Sequence, residues 1–322
     1  MTVFVTGISG LLGTNLALLL LEKGYTVKGL VRNKKSFSQI RHERLHLVQG
    51  ELQEDLSPHL KDVAVIIHAA AVTQQNLTRY SDYYKLNYTA TVQLMQAAIK
   101  MSIKKFIYVS TANTIGYGLD SALVVPEQKP MKLPFTQSFY ARSKAAAEEY
   151  VLQQRSKINV IIINPAFMIG AYDSKPSSGK IILMGMKRRL LFCPPGGKNF
   201  VAVADVARVI EKCIPAGQNG KRYLVAGENI SYADFFKKIR QQTHKTQWII
   251  PLPRFILMLM GCMGDGLRYC NIKTNLSSNN MRILCIDNFY SNITSVKELQ
   301  IRYQDMDEAI AESIRYFRSK IA

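Results

Sequence analysis

The sequence predicts an α/β fold built on a doubly wound parallel sheet with helices on both faces. Three observations carry that expectation. Short, nearly all-apolar runs alternate with longer helical patterns up to Pro165, and a strand covered on both faces needs apolar side chains on both. A glycine-rich turn separates the first strand from the first helix, at the end of the sheet where such folds bind ligands. Beyond Pro165 the pattern changes to short strands, several helices and apolar loops, which predicts a smaller, mostly helical C-terminal part.

Residues 3–6 read as a strand, 10–23 as a helix ended by Gly24, and 25–31 as a second strand. Residues 45–48 and 63–68 are further strands, followed by a helix over 82–101 and a strand over 105–110. A loop marked by Gly116, Gly118, Pro126, Pro130 and Pro134 leads to a helix over 139–154, and the strand 160–163 closes the set. Residues 200–203 and 223–226 are expected to return to the main sheet or its edge. Helical patterns recur at 205–213, 232–243, 253–269 and 306–318. The expected division is a nucleotide-binding domain over 1–168, with 199–227 returning to it, and a substrate-binding part over 169–322.

The chain has 322 residues, 48% of them hydrophobic and 20% charged, which suits a buried core and excludes disordered, collagen-like and disulfide-stapled classes. Lys and Arg number 42 against 23 Asp and Glu, a formal net charge of +19. No like-charge run is long enough for a basic tail; the densest clusters are 32–44 and 187–189, so a basic solvated surface is expected and a nucleic-acid partner is not. Five cysteines, widely spaced and without a C-x-x-C pair, indicate neither a disulfide framework nor a zinc site. A reducing compartment follows, and with no basic leader ahead of an apolar run the expected location is cytoplasmic. The apolar stretch 249–264 carries Pro251, Pro253 and Arg254 and falls short of the about 18–20 residues a membrane span needs. It is expected to be core or pocket wall, with contact to a lipid surface as the alternative.

Between the first strand and helix stands Thr6-Gly7-Ile8-Ser9-Gly10-Leu11-Leu12-Gly13, a T-G-x-x-G-x-x-G pattern. Gly7 allows a tight turn, Gly10 the close approach of a pyrophosphate, and Gly13 close packing of helix on strand. The helix start, with Ser9, Leu11 and Leu12, then faces the phosphates with free N–H groups and the positive dipole end. This is a dinucleotide (Rossmann) fingerprint in its proper strand–turn–helix context. Gly261, Gly264 and Gly266 form a similar cluster but lie in a helical pattern and are discounted. The second strand ends Leu30-Val31-Arg32-Asn33-Lys34-Lys35, without the carboxylate that would accept from a ribose 2′-OH. A guanidinium there bonds a 2′-phosphate, so NADP is expected over NAD.

Tyr140 and Lys144 lie four residues apart on a predicted helix, which puts them on one face, about 5–6 Å apart at Cβ. A nearby ammonium favours phenolate, so the lysine is expected to lower the phenol's pKa and make it usable as an acid or base. The Y-x-x-x-K pattern alone is unspecific: Tyr269/Lys273 and Tyr316/Lys320 share it and read as surface residues. Only Tyr140 follows a buried strand that ends in hydroxyl side chains, Ser110 and Thr111. No His/Cys/Asp cluster at ligand spacing appears, so no metal is expected.

Together these pieces resemble the extended short-chain dehydrogenases/reductases (the epimerase/dehydratase superfamily) over nearly the full length. The matching segments are TGISGLLG, VRNKK, HAAA at 68–71, LNYTATVQLMQAA around Asn87, YVSTANTIG, YARSK, NPAFMIG and FVAVADVA at 200–207. The dihydroflavonol 4-reductase and 3β-hydroxysteroid dehydrogenase branches are the most similar. The resemblance implies that Tyr140 gives a proton to a substrate carbonyl or takes it in reverse, that Lys144 tunes the phenol and bonds the nicotinamide ribose, and that Thr111 holds the carbonyl oxygen, with Ser110 as runner-up. It further implies that Asn87 supports a proton-relay water and that Ala69, Ala70 and Ala71 let the cofactor lie against the sheet edge. Glu51 and Leu52 would stand near the adenine, and Pro165, Ala166 and Phe167 would present backbone to the carboxamide.

Glu51 replaces the family's usual Asp, and Asn164 replaces the Arg common before the proline. His68 reads as a packed core histidine. The implied activity is NADP(H)-dependent reduction of a carbonyl, or oxidation of the alcohol, on a small and largely apolar substrate, with a homodimer as the family's common assembly. One alternative is a nucleotide-sugar epimerase; a dehydratase would carry Asp-Glu where Ala112-Asn113 stand. The other is a non-catalytic NADP-binding scaffold or sensor.

Overall fold

The computed structural model describes residues 1–322 except 38, 39, 75, 119–128, 175, 271 and 322; Pro126 of the predicted loop lies outside the described residues. The first half runs β1 (Thr2–Thr6), α1 (Leu11–Glu22), β2 (Thr26–Val31), β3 (Leu45–Gln49) and β4 (Val65–His68). The predicted long helix is three pieces in one rod: α2 (Tyr80–Tyr84), a wider π-type turn at Lys85–Thr89, and α3 (Ala90–Lys100). Then come β5 (Lys105–Val109), α4 (Phe139–Gln153), whose first turn is capped by Ser138 accepting from Ala141 N at 3.3 Å, and β6 (Asn159–Pro165).

The later half runs β7 (Phe167–Ile169), α5 (Lys180–Lys187), β8 (Leu190–Cys193), β9 (Gly197–Ala202), α6 (Val203–Ala216) and β10 (Lys221–Val225). It continues through β11 (Glu228–Ser231), α7 (Tyr232–Thr243), β12 (Trp248–Pro251), α8 (Arg254–Tyr269), α9 (Ser278–Leu284), β13 (Asp287–Asn288), α10 (Ile293–Leu299) and α11 (Met306–Ile321).

Seven strands form the main sheet in the order β10-β6-β5-β4-β1-β2-β3, and every neighbouring pair is parallel. The expected doubly wound α/β architecture is therefore present. Strand alternation builds its two cores. Val3 and Val5 of β1 face α1 and α6, meeting Leu16, Leu20, Val206 and Ile210. Phe4, between them, faces the opposite core with Leu94 and Met95 of α3 and Ala147 and Val151 of α4. The order reverses between β1 and β4, and this switch point opens a crevice at their carboxyl ends.

The stretch 199–227 divides. β10 joins the main sheet beside β6, Tyr223 opposite Ile163, and α6 supplies core side chains to the β1 face. β9 instead joins a second sheet, antiparallel to β11 and parallel to β7 and β13. A third, two-stranded sheet pairs β8 with β12.

Of the stretch 249–264, expected to be core or pocket wall, only part enters the core. α8 buries Leu257, Gly261 and Gly264, while Phe255, Leu259 and Met263 face solvent. The glycines are the reason. A Cβ at Gly261 would stand 2.7 Å from Ser278 Cα, and one at Gly264 would stand 2.4 Å from Leu276 O. At these two positions the face of α8 against the protein has no room for a side chain, while Leu257 packs inward about one turn earlier.

Candidate active site

The β1–α1 turn is built around positions that admit no side chain. Gly7 has φ +71°, and a Cβ there would come within 2.8 Å of Ala70 N. At Gly13 it would come within 2.1 Å of Gly7 O. Gly10 donates to Gly7 O at 3.0 Å and opens α1 without a side-chain cap, and the first turn holds no acidic residue. The positive end of α1 therefore meets nothing negative from its own sequence. Ser9 and Gly10 are exposed, while Leu11 and Leu12 are packed beneath.

Across the crevice, Ala69, Ala70 and Ala71 are half-buried just past β4, and Ala70 N donates to Thr6 Oγ1 at 3.2 Å. Arg32 is exposed past the end of β2, and Asn33 Oδ1 accepts from Lys35 N at 2.9 Å. Glu51 is exposed, its N–H on Glu54 Oε2 at 3.0 Å, while Leu52 packs against the second core. Ser110 is buried, with no protein partner for its hydroxyl among the described residues. A cradle that a Cβ would fill, an unopposed helix start and an unpaired buried hydroxyl are what a dinucleotide requires. At the far end, Ala166 N donates to Val225 O at 2.9 Å, so its carbonyl is the backbone group it has left to offer.

A one-way hydrogen-bond chain ties this crevice to the helical rod. The Thr91 hydroxyl donates to Asn87 O at 2.8 Å, so it accepts from His68 Nε2 at 2.9 Å. That tautomer makes Nδ1 the acceptor for the Thr6 hydroxyl at 2.7 Å. Burial, aided by the charge of Lys144, pulls the His68 pKa down to about 3, so the ring is neutral and serves as a core linker. Asn87 sits in the π-type turn and is buried. Its Oδ1 accepts from Val72 N at 2.8 Å, and Nδ2 reaches Val72 O at 3.2 Å and Ser143 Oγ at 3.0 Å. In this arrangement Asn87 clamps the post-β4 loop to α4.

On α4, Lys144 is buried, donates to Val109 O at 2.7 Å and lies 4.1 Å from the Tyr108 ring centroid. Burial lowers its pKa to about 7, opposed by the Glu148 carboxylate one turn further on. Tyr140 is within hydrogen-bonding reach of the Thr111 side chain. The expected lowering of the phenol by its lysine neighbour is not what the structure gives. Desolvation pushes Tyr140 up to about 12, and the bond from Thr111 opposes this only in part. The physical reason is that the ammonium is turned to Val109 O and the Tyr108 ring. Tyr140 is consequently a neutral phenol at pH 7, a proton donor in waiting. Thr111 caps the short turn after β5, accepting from Asn113 N at 3.3 Å, and Tyr290 OH donates to Ala112 O at 2.8 Å from the C-terminal part.

Comparison with known proteins gives the family. Residues 3–226 match the NAD dependent epimerase/dehydratase family. The chain belongs to that family. "Sterol demethylase protein B" of Methylococcus capsulatus is 25% identical over 328 positions and covers 99% of either chain. A "4-hydroxy-2-methyl-3-oxo-4-farnesyl-3,4-dihydroquinoline-1-oxide ketoreductase" of Stigmatella aurantiaca is 30% identical over 224 positions, 68% of this chain and 65% of that one. The crystal structure of gox2253 superposes with a TM-score of 0.84 and 26% identity, covering 99% of this chain and 98% of that one. The protein is thus an enzyme of the extended short-chain dehydrogenase/reductase kind, using a nicotinamide dinucleotide.

Within this epimerase/dehydratase family member, three residues that the sequence did not single out as functional complete the surroundings of Lys144. Glu148 is buried and takes Arg222 Nε at 2.5 Å on one oxygen. Its other oxygen takes Asn164 Nδ2 at 3.0 Å and Thr114 Oγ1 at 3.1 Å. Asn164 Nδ2 also stands 3.2 Å from Thr111 O, so this amide steadies the turn that follows β5, while Arg222 arrives from β10 with the positive charge. The helical spacing 140, 144, 148 was the available signal for Glu148; nothing local announces Arg222.

Proposed function

We propose that the protein is an NADP(H)-dependent oxidoreductase that reduces the carbonyl of a small, largely apolar substrate, the alcohol oxidation being its reverse. The observation that carries this reading is the convergence of Tyr140, Thr111 and Lys144 at the carboxyl end of β5, facing the same crevice mouth as the side-chain-free β1–α1 turn. The bound nicotinamide supplies hydride. Thr111 and Tyr140 donate hydrogen bonds to the carbonyl oxygen, stabilising negative charge as it develops there. The neutral phenol then releases its proton to that oxygen, which completes the alcohol. Lys144 supplies the nearby positive charge that tolerates the resulting phenolate, and Asn87 and Ser143 hold α4 in place.

Arg32, Lys34 and Lys35, with no carboxylate at the end of β2, favour a 2′-phosphate and so NADP. Relatives named for a sterol and for a farnesyl-bearing substrate favour an apolar substrate. The test follows oxidation of NADPH and NADH in parallel with apolar ketones. Preference for NADPH and stoichiometric consumption are expected, with Tyr140→Phe lowering kcat by about 10²–10⁴-fold. Product without net consumption would indicate an epimerase, and wild-type rates in Tyr140→Phe would remove the phenol from the chemistry. Tighter NAD than NADP binding would overturn the cofactor assignment.

A further inference from the structure

We propose that the surface formed by β8, β12 and α8 docks the protein onto a lipid bilayer bearing anionic headgroups. The small sheet sets one half of it. Register pairs Trp248 with Leu190 and Ile250 with Phe192, so these four side chains share one face, and that face points to solvent. Trp248 is 72% exposed. The chain then passes through Pro253 into α8, where Phe255, Leu259 and Met263 recur every fourth residue and are 70%, 63% and 66% exposed. A surface helix ordinarily turns such a stripe inward. Here Leu257, Gly261 and Gly264 take the inward face, the glycine backbone lying directly against Leu276 and Ser278, and Phe255, Leu259 and Met263 are left on the open side. An apolar surface of this extent marks a contact site rather than chance exposure.

Charge identifies the occupant. Lys187, Arg188 and Arg189, all exposed, lead directly into β8, and exposed Lys245 and Arg254 flank β12. Exposed Lys273 follows α8, and Asp265, whose carboxylate accepts from Ser278 N at 3.2 Å, is the only acidic residue between 244 and 273. An apolar centre with a cationic rim complements a bilayer whose headgroups are negative. A second copy of the same face, related by two-fold symmetry, would instead set these cationic rims against each other. Among the described residues no helix is long and apolar enough to cross a membrane, so the contact lies on the surface. Trp at the headgroup level and aliphatic side chains just below it is the arrangement such contacts adopt.

Trp248 is the single tryptophan of the chain, so its fluorescence reports on this face alone. Intact protein is mixed with vesicles of phosphatidylcholine alone or with phosphatidylglycerol added, and bound protein is measured by flotation. Expected are a blue shift of emission and flotation with phosphatidylglycerol vesicles, both weakened by salt. The double variant R188E/R189E is expected to lower binding at least tenfold, each cation near such a surface adding roughly fivefold. The double variant F255S/L259S is expected to lower it by a similar factor while its thermal melting matches the parent, because neither side chain is packed. No blue shift with either vesicle, or undiminished flotation of both variants, would overturn the proposal. So would a parent dimer that F255S/L259S converts to monomer while neither form binds vesicles.

Discussion

Helices α4 and α8 are nearly equal in length, 15 and 16 residues, and both invert the usual rule for a surface helix in opposite senses. α4 turns polar and charged groups inward: Ser143, Lys144 and Glu148 are buried among Ala141, Ala147 and Val151, while Arg142 and Glu149 face water. α8 turns Leu257, Gly261 and Gly264 inward and Phe255, Leu259 and Met263 outward. The first inversion is stabilised by partners for every buried charge, since Lys144 has Val109 O and Glu148 has Arg222 and Asn164. The second leaves Phe255, Leu259 and Met263 exposed among the described residues. Where a helix departs from ordinary patterning, the departure marks the place at which it does something other than hold the fold.

The comparison can be broken most strongly on α4. Lys144→Met is expected to lower kcat/KM by about 10²-fold or more, because the phenol loses its cationic neighbour. It should also change how stability depends on pH. In the folded protein Lys144 titrates at about 7, against 10.5 for an ordinary lysine. Between those values the unfolded chain binds a proton that the native state does not, so this group makes the wild type more stable as pH rises. The burden of the buried charge is full below 7. Denaturation of wild type and Lys144→Met across pH 6 to 10 should therefore show the wild type improving relative to the variant as pH increases; parallel curves would show that Lys144 is not desolvated.

Glu148→Gln sharpens the same contrast more gently. The Glu148 carboxylate supports the charged lysine, so its removal should shift the alkaline fall of kcat/KM to lower pH while retaining most activity at mildly acidic pH. An unchanged profile would detach Glu148 from the catalytic lysine. The smallest effects belong to α8. Gly264→Ala should destabilise by roughly 1–3 kcal/mol, whereas Phe255→Ser, near the start of the same helix on the open face, should stay within about 0.5 kcal/mol. Equal losses in thermal melting would show that α8 has no privileged inner side.

Much of this was legible in the sequence, for local reasons. The β1–α1 turn is specified by steric exclusion at Gly7 and Gly13, and glycine spacing expresses exclusion directly. The buried strands announce themselves because parallel strands are apolar on both faces. Tyr140 and Lys144 share a helical face by arithmetic alone. Less legible was whatever depends on distant partners. The stretch 249–264 reads as core or pocket wall until Leu276 and Ser278 are seen to lie against Gly264 and Gly261 of α8, opposite Phe255, Leu259 and Met263. The departure of β9 from the main sheet depends on pairing with β7, β11 and β13. The phenol's raised pKa reflects desolvation by burial, which a four-residue spacing does not record.

β10 brings Arg222 beside Glu148 from a part of the chain that follows the whole catalytic segment. Thr111, Tyr140, Lys144 and Glu148 all precede Arg222 in the chain, so α4 is synthesised before the guanidinium that pairs with Glu148. Completion of this polar cluster is thereby tied to arrival of β10, the edge strand of the main sheet, and a fragment ending at Pro165 would hold Tyr140, Lys144 and Thr111 without the Arg222–Glu148 pair.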